Sequence, residues 1–97
     1  MQCLFSSLAE RDLEEIADYI ARDNPLRALS FIHELREHCR KIITFPKAAS
    51  LCEELGQGIR FIPFGRYLIF YSEHPDKVRI ERILSSFRLL SSDYFGC

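Results

Sequence analysis

A helical period of apolar residues dominates the first half of the chain. The residues Ser7-Leu8-Ala9-Glu10 match a capping box, so we expect a helix to begin there. The apolar stripe that follows consists of Ala9, Leu13, Ile16, Ala17 and Ile20. The polar positions between them carry Glu10, Asp12, Glu14, Glu15 and Asp18. This pattern predicts an amphipathic helix whose carboxylates form a solvated face, with a binding surface for a basic partner as the alternative.

A second helix is predicted directly after the first. Asn24 is a good N-cap, and Pro25 is favoured at the first helical position. The apolar stripe of this helix consists of Ala28, Phe31, Ile32, Leu35, Cys39, Ile42 and Ile43. We expect Glu37 to pair with Lys41 one turn later, and Phe45-Pro46 to end the helix. The tight connection between the two helices predicts an antiparallel hairpin.

The pattern of a β-sheet follows in the second half of the chain. A short strand at Cys3–Phe5 precedes the helices, and a strand that starts after Gly58 contains Pro63, which predicts an edge position or an early end. The segment Arg66–Tyr71 is apolar on both faces after its first residue and is predicted to be a central strand. Lys77–Leu84 is predicted to be the last strand.

Alternation in the last strand places an arginine among apolar residues. One face carries Val78, Ile80, Arg82 and Leu84, and the other carries Arg79, Glu81 and Ile83. Three interpretations of Arg82 remain open. Its stem is buried while its head emerges at the rim of the sheet, or it holds an acidic partner, or it lines a site.

Composition indicates one globular domain over residues 1–97, because the chain has 97 residues with 47% apolar and 28% charged content. The longest apolar run, Tyr67–Tyr71, is too short to span a membrane. The four cysteines lack the spacing of metal or redox sites, and His33 and His38 do not share a helical face well enough to bind a metal. We therefore expect a cytoplasmic protein with reduced thiols, no cofactor and no metal.

The charge distribution argues against a general polyanion binder, since the net charge is −1. Residues 1–55 carry seven Lys and Arg against ten Asp and Glu, whereas residues 56–97 carry six against four. The helical half is therefore acidic and the sheet half mildly basic.

Arginines and tyrosines are the residues with chemical potential. The set consists of Arg60, Arg66, Arg82 and Arg88 with Tyr67, Tyr71 and Tyr94. Guanidinium groups clamp phosphates, and phenols stack on bases or act as weak general acids. Such a set could stabilise the transition state of RNA cleavage. The same residue types are also ordinary at the rim of small sheets, and this structural interpretation is the alternative.

Several motifs occur in an order that resembles the ParE/RelE superfamily of toxins from type II toxin–antitoxin modules. They are A-x-x-D-L-x-x-I-x-x-Y-I at Ala9 to Ile20, Asn24-Pro25 with Ala28 and Phe31, the Phe45-Pro46 boundary, and Arg66-Tyr67-x-Ile69-Phe70-Tyr71. The ParE branch is the better match. Its members typically end with V-x-I-x-R-V-L-H and then Arg-Asp, and here Val78 to Ser85 reads V-R-I-E-R-I-L-S and is followed by Arg88-Leu89.

This resemblance implies an α+β fold, in which an N-terminal two-helix hairpin packs on a small antiparallel β-sheet. It also implies a cognate antitoxin that neutralises the toxin in a hetero-oligomeric complex. ParE-like toxins act on DNA gyrase and stall it on cleaved DNA without performing chemistry. RelE-like toxins instead cut messenger RNA in the ribosome, so ribosome and mRNA are the alternative partners.

The chain departs from the family pattern at two positions. Ser85 replaces the usual histidine and Leu89 the usual aspartate. A serine hydroxyl is no general base near neutral pH without an activating partner, so binding is favoured over catalysis. No catalytic residue is favoured. For a nuclease the candidates would be Arg60, Arg66, Arg82 and Tyr94, and for antitoxin or target binding they are Arg66, Tyr67, Arg82 and Arg88.

Overall fold

A computed structural model of the protein describes residues 2–86. The helices are α1 (Ser7–Ala21) and α2 (Pro25–Lys41), and the strands are β1 (Gln2–Phe5), β2 (Ser50–Leu51), β3 (Ile59–Phe64), β4 (Tyr67–His74) and β5 (Lys77–Ser85). Short 3₁₀ turns at Ile42–Thr44 and Glu53–Leu55 flank β2. The predicted two-helix hairpin and sheet are confirmed.

The five strands form one sheet in the order β1-β5-β4-β3-β2. Strands β2 to β5 pair antiparallel, as expected for strands joined by short turns. β1 pairs parallel to β5, so the sheet is mixed, and the predicted antiparallel sheet is confirmed for the four strands β2 to β5. In sequence order, the helix hairpin follows β1 and precedes the other four strands. This long connection allows β1 to return beside the last strand in the same direction.

Side-chain caps fix where both helices begin. The hydroxyl of Ser6 accepts a hydrogen bond from the backbone N–H of Ala9 at 3.0 Å, so Ser6 is the N-cap of α1. The predicted capping box that starts at Ser7 is therefore wrong, because the cap lies one residue earlier and Ala9 at N3 has no side chain that could return the hydrogen bond. Asn24 caps α2 as predicted, because its side chain accepts from the N–H of Arg27 at 3.0 Å.

The main hydrophobic core lies between the helices and one face of the sheet. Its buried members are Ala9, Leu13, Ile16, Leu35, Cys39, Ile42, Ile69, Tyr71, Val78, Ile80 and Ile83. Phe70 and Leu84 form a smaller buried cluster on the other face. The apolar stripes of both helices therefore pack where their spacing predicts.

A register shift interrupts the pairing of β4 with β5. Tyr71 lies opposite Ile80 and Phe70 lies opposite Arg82, so Glu81 has no partner in the ladder. This bulge reverses the alternation of side chains beyond it. Ile83 then lies opposite Ile69 and enters the core with the helices, while Arg82 lies opposite Phe70, a member of the smaller cluster. The prediction that Arg82 shares a face with Val78 and Ile80 is wrong for this reason.

Two smaller expectations change as well. Glu37 pairs with Arg40, three residues later, instead of Lys41. Cys3 and Cys39 carry free thiols, as predicted, whereas Cys52 is disulfide-bonded and the prediction of a reduced thiol is wrong there. Within residues 2–86, no helix is long and apolar enough to cross a membrane.

Candidate partner-binding site

Arg82 is held in an ion pair with the first helix. Its Nε and Nη2 donate to the two carboxylate oxygens of Asp12 at 2.8 and 3.0 Å. The side chain of Asp12 is only 7% exposed and that of Arg82 is 38% exposed. Asp12 therefore does not belong to the predicted solvated face. Of the three interpretations of Arg82, the structure shows the acidic partner.

Asp12 also accepts a hydrogen bond from a backbone group at the edge of the sheet. One of its oxygens accepts a hydrogen bond from the backbone N–H of Ile83 at 2.9 Å, a group of β5 that lies beyond the end of β1. Ser6 acts in the same way, since its hydroxyl donates to the backbone carbonyl of Glu81 at 2.7 Å. Side chains at the start of α1 thus replace a partner strand at the bulge. We call Ser6, Asp12, Arg82 and these backbone groups the α1–β5 seam.

A groove opens next to this seam, between α1 and the ends of β4 and β5. It has a volume of about 120 Å³, and its lining includes Tyr19, Tyr67 and Ser85. Arg66 lies at its mouth, in the turn where Gly65 adopts a φ of 59°. The carbonyl of Arg66 accepts hydrogen bonds from the backbone N–H and the hydroxyl of Ser86, at 2.7 and 2.9 Å.

The groove has an aromatic wall with Glu15 and Asp12 in its lining, and Arg66 supplies a cation in the adjoining pocket that shares Tyr67 and Ser85 with it. Burial raises the pKa of Tyr67, the neighbouring Tyr19 raises it further, and Arg66 lowers it. Tyr67 is therefore a neutral phenol near pH 7, and its ring packs 5.7 Å from that of Phe31. Such a surface is suited to contact with a protein segment that offers apolar groups and a carboxylate. Arg66 and Tyr67 are the predicted binding candidates that meet here.

Arg60 lies elsewhere, on β3 opposite Tyr71, at the end of the β3–β4 hairpin away from Arg66. Its Nη1 donates to the backbone carbonyl of Ala49 at 2.6 Å. The structure therefore does not bring Arg60, Arg66 and Arg82 to one place, and two of the three are occupied by contacts within the chain. Arg88 and Tyr94 lie outside the described residues.

The same end of the sheet contains a feature that the sequence did not reveal. The hydroxyl of Tyr71 donates to the backbone carbonyl of Pro46 at 2.7 Å, and Arg60 holds Ala49. Residues 45–49 are thereby fixed over the end of α2, and we call them the strap. The Phe45-Pro46 boundary marks its start in the sequence, but only the tertiary contacts show that it forms one wall of a cavity.

Comparison with known proteins agrees with this fold. The family model of the ParE toxin of the type II toxin–antitoxin system, parDE, matches residues 3–89. No curated protein sequence matches the chain significantly. Among solved structures, the chain is similar to one described as the chromosomal ParDE TA system from P. aeruginosa. The TM-score is 0.74 at 18% identity, over 88% of this chain and 95% of the other. Because the family model covers almost the entire described chain, the protein belongs to the ParE toxin family of type II toxin–antitoxin systems.

Proposed function

We propose that this ParE-family toxin inhibits DNA gyrase through protein contacts, without cutting nucleic acid, and that a cognate antitoxin neutralises it. Membership of the ParE branch supports gyrase as the target, since toxins of this branch resemble one another in acting on that enzyme. The RelE-like alternative requires a concentrated basic set at one site.

The state of Arg82 is the observation that carries the proposal. A nuclease would need this guanidinium for the developing charge on a phosphate, but here Asp12 already binds it through both oxygens. To release it would leave a buried carboxylate without its cation, which costs several kcal/mol. Arg60 is likewise engaged with Ala49. The most exposed guanidinium of the three belongs to Arg66, and one such group at a groove is better suited to binding than to catalysis.

For the antitoxin, we propose an acidic and apolar segment that crosses the helix hairpin and reaches the sheet. The solved relative is described as a ParDE system, which supports such a complex. Exposed apolar side chains on the hairpin offer surface for it, because Leu26 and Leu29 of α2 are 79% and 73% exposed and Tyr19 of α1 is 67% exposed. A co-complex in which the hairpin and the sheet edge both stay bare would contradict this part of the proposal.

Purified gyrase provides the direct test of the target. Increasing amounts of the toxin should inhibit supercoiling and cause cleaved DNA to accumulate, and pre-incubation with the antitoxin should prevent both effects. Gyrase that is unaffected at saturating toxin would refute the proposal. If the toxin instead cuts translated messages, and a folded Arg82→Ala variant does not, the protein is an mRNA endonuclease.

A further inference from the structure

The strap forms one wall of an open pocket on the flank of the molecule opposite to the α1–β5 seam. The pocket has a volume of about 240 Å³ and lies between the last turn of α2, the strap and β3. Its lining consists of His38, Lys41, Ile42, Phe45, Ala48, Ala49, Ile62 and Tyr71. We call it the α2–β3 pocket.

The walls of this pocket are fixed in advance. The strap is tied at Pro46 by the Tyr71 hydroxyl and at Ala49 by Arg60, at 2.7 and 2.6 Å. Within the strap, the N–H of Ala48 donates to the carbonyl of Phe45 at 3.1 Å. Burial raises the pKa of Tyr71, so its phenol stays protonated as a donor. A pocket whose walls are hydrogen-bonded loses little entropy when a ligand enters.

The chemistry of the pocket combines an apolar interior with a cationic rim. Among its lining residues only Lys41 and His38 can carry charge near neutral pH, and no carboxylate lines it. Burial, and then the nearby Lys41, lower the pKa of His38, so Lys41 supplies the charge near pH 7. Glu34 and Glu37 lie near Lys41 in an adjoining pocket, but they pair with Arg27 and Arg40.

Phe45 adds an exposed aromatic ring at the mouth. It is 73% exposed, so its ring is accessible to a partner. Basic residues in the last turn of a helix also balance its dipole. That role explains Lys41 but requires neither the cavity nor the exposed ring.

We propose that the α2–β3 pocket binds one apolar side chain of the antitoxin, in a segment whose flanking carboxylates pair with Lys41. This inference rests on one part of the proposed function, namely that a cognate antitoxin binds and neutralises the toxin. Charge complementarity supports this occupant, because the rim is cationic and the expected antitoxin segment is acidic and apolar. The anchor side chain enters the pocket, and Phe45 covers it from outside.

Small probes test the pocket itself. Phenylacetate carries an aromatic ring and a carboxylate, and 2-phenylethylammonium carries the same ring with the opposite charge. In ¹⁵N NMR titrations, phenylacetate should shift the amide signals of Lys41, Phe45 and Ala49 and bind about tenfold more tightly than the cation. The Ala48→Leu variant fills the pocket from an exposed position and should abolish these shifts. Equal binding of both probes, or shifts confined to other regions, would overturn the proposal.

The antitoxin from the neighbouring open reading frame tests the occupant. Its affinity should fall about tenfold or more for both pocket variants, because Ala48→Leu fills the space that the anchor side chain occupies and Phe45→Ala removes the ring that covers it. Leu55→Ala is the control for Phe45→Ala, since Leu55 is also an exposed apolar side chain but lies in the 3₁₀ turn Glu53–Leu55, outside both the pocket and the helix hairpin. Lys41→Glu should weaken binding more than Arg11→Glu, which reverses an exposed charge on α1.

Two results would overturn the choice of occupant. One is unchanged antitoxin affinity in both folded pocket variants. The other is that the toxin self-associates and that Ala48→Leu abolishes this self-association. The occupant of the pocket would then be a second copy of the toxin. Neither result depends on gyrase, so the inference can fail while the toxin still poisons the enzyme. Conversely, a toxin without effect on gyrase can still bind its antitoxin through this pocket.

Discussion

Arginine and polar side chains have different structural effects on the two flanks of the molecule. At the α1–β5 seam, Asp12 binds both Arg82 and the edge of the sheet, and the contact is closed. At the α2–β3 pocket, Arg60 and Tyr71 also bind partners within the chain, but their contacts tie the strap to β3 and β4 beside an open cavity. The α1–β5 seam completes the hydrogen bonding at the edge of the sheet. The contacts at the α2–β3 pocket shape a surface that is open to a ligand.

This difference changes the meaning of the arginines in the sheet. From the sequence alone, arginines in an apolar sheet suggest a phosphate-binding site, because the sequence does not show their partners. Once Arg82 and Arg60 are seen to satisfy a carboxylate and a carbonyl, their first role is structural. The open surfaces are then the groove near Arg66 and the α2–β3 pocket, both of which combine apolar walls with a cation.

The largest effect is expected at the seam. Asp12→Ala removes the acceptor for a buried backbone N–H and the partner of Arg82, and it should lower the free energy of unfolding by about 3 kcal/mol. Urea denaturation measures the change. Asp18→Ala, at an exposed carboxylate on the same helix, is the matched control and should stay within about 0.5 kcal/mol of the natural protein. Equal, small effects of both changes would show that the seam does not stabilise the fold.

A pair of serine variants tests the start of the same helix. Ser6→Ala removes the cap of α1 and the hydrogen bond to Glu81, and should cost about 1–2 kcal/mol. Ser7→Ala should cost less than about 0.5 kcal/mol, because Ser7 is exposed and is not the cap. Thermal denaturation of the two proteins side by side gives the comparison. A larger loss of stability for Ser7→Ala than for Ser6→Ala would instead support the capping box at Ser7 that the sequence predicts.

At the pocket, Tyr71→Phe removes only the hydroxyl that holds Pro46. We expect a loss of about 1 kcal/mol in unfolding free energy, the usual net value of one hydrogen bond. Because the strap loosens, phenylacetate should also bind more weakly. Tyr19→Phe, at an exposed ring, should change neither quantity. Undiminished probe binding by Tyr71→Phe would mean that the hydroxyl does not shape the pocket.

The smallest effect on stability is expected at Arg66. Its side chain is exposed in the β3–β4 turn, so Arg66→Ala should change the unfolding free energy by less than about 0.5 kcal/mol. If the adjacent groove contacts a partner, the same variant should weaken gyrase inhibition or antitoxin binding. Arg79→Ala, at another exposed arginine, is the control for charge alone. Full activity of Arg66→Ala in both assays would remove Arg66 from the binding candidates.

Local chemistry made much of the fold predictable. The Asn24-Pro25 pair fixes the hairpin, and the apolar stripes of both helices enter the core as expected. The seam was not predictable, because the bulge at Glu81 reverses the alternation of β5 and only tertiary pairing reveals a bulge. The burial of Asp12 follows from that bulge.

Prediction of the candidate site was partial for a similar reason. Arg66 and Tyr67 are adjacent in sequence, and the turn places them at one groove. The α2–β3 pocket depends on hydrogen bonds that join Tyr71 and Arg60 to the strap, 25 and 11 residues earlier in the chain. Side-chain contacts to a distant backbone leave no periodic signal in a sequence. Exposure of Phe45 could not be inferred from its apolar character either.

The central claim is that Arg82 serves the fold and that poisoning occurs by contact. The double variant Asp12→Asn with Arg82→Gln tests it, because the amides remove both charges while the new side-chain carbonyl at position 12 can still accept from the N–H of Ile83. Circular dichroism must first show a native fold. We predict that this variant inhibits gyrase and traps cleaved DNA at the same concentrations as the natural protein. A folded double variant that no longer poisons gyrase would contradict the account and place Arg82 in the functional site.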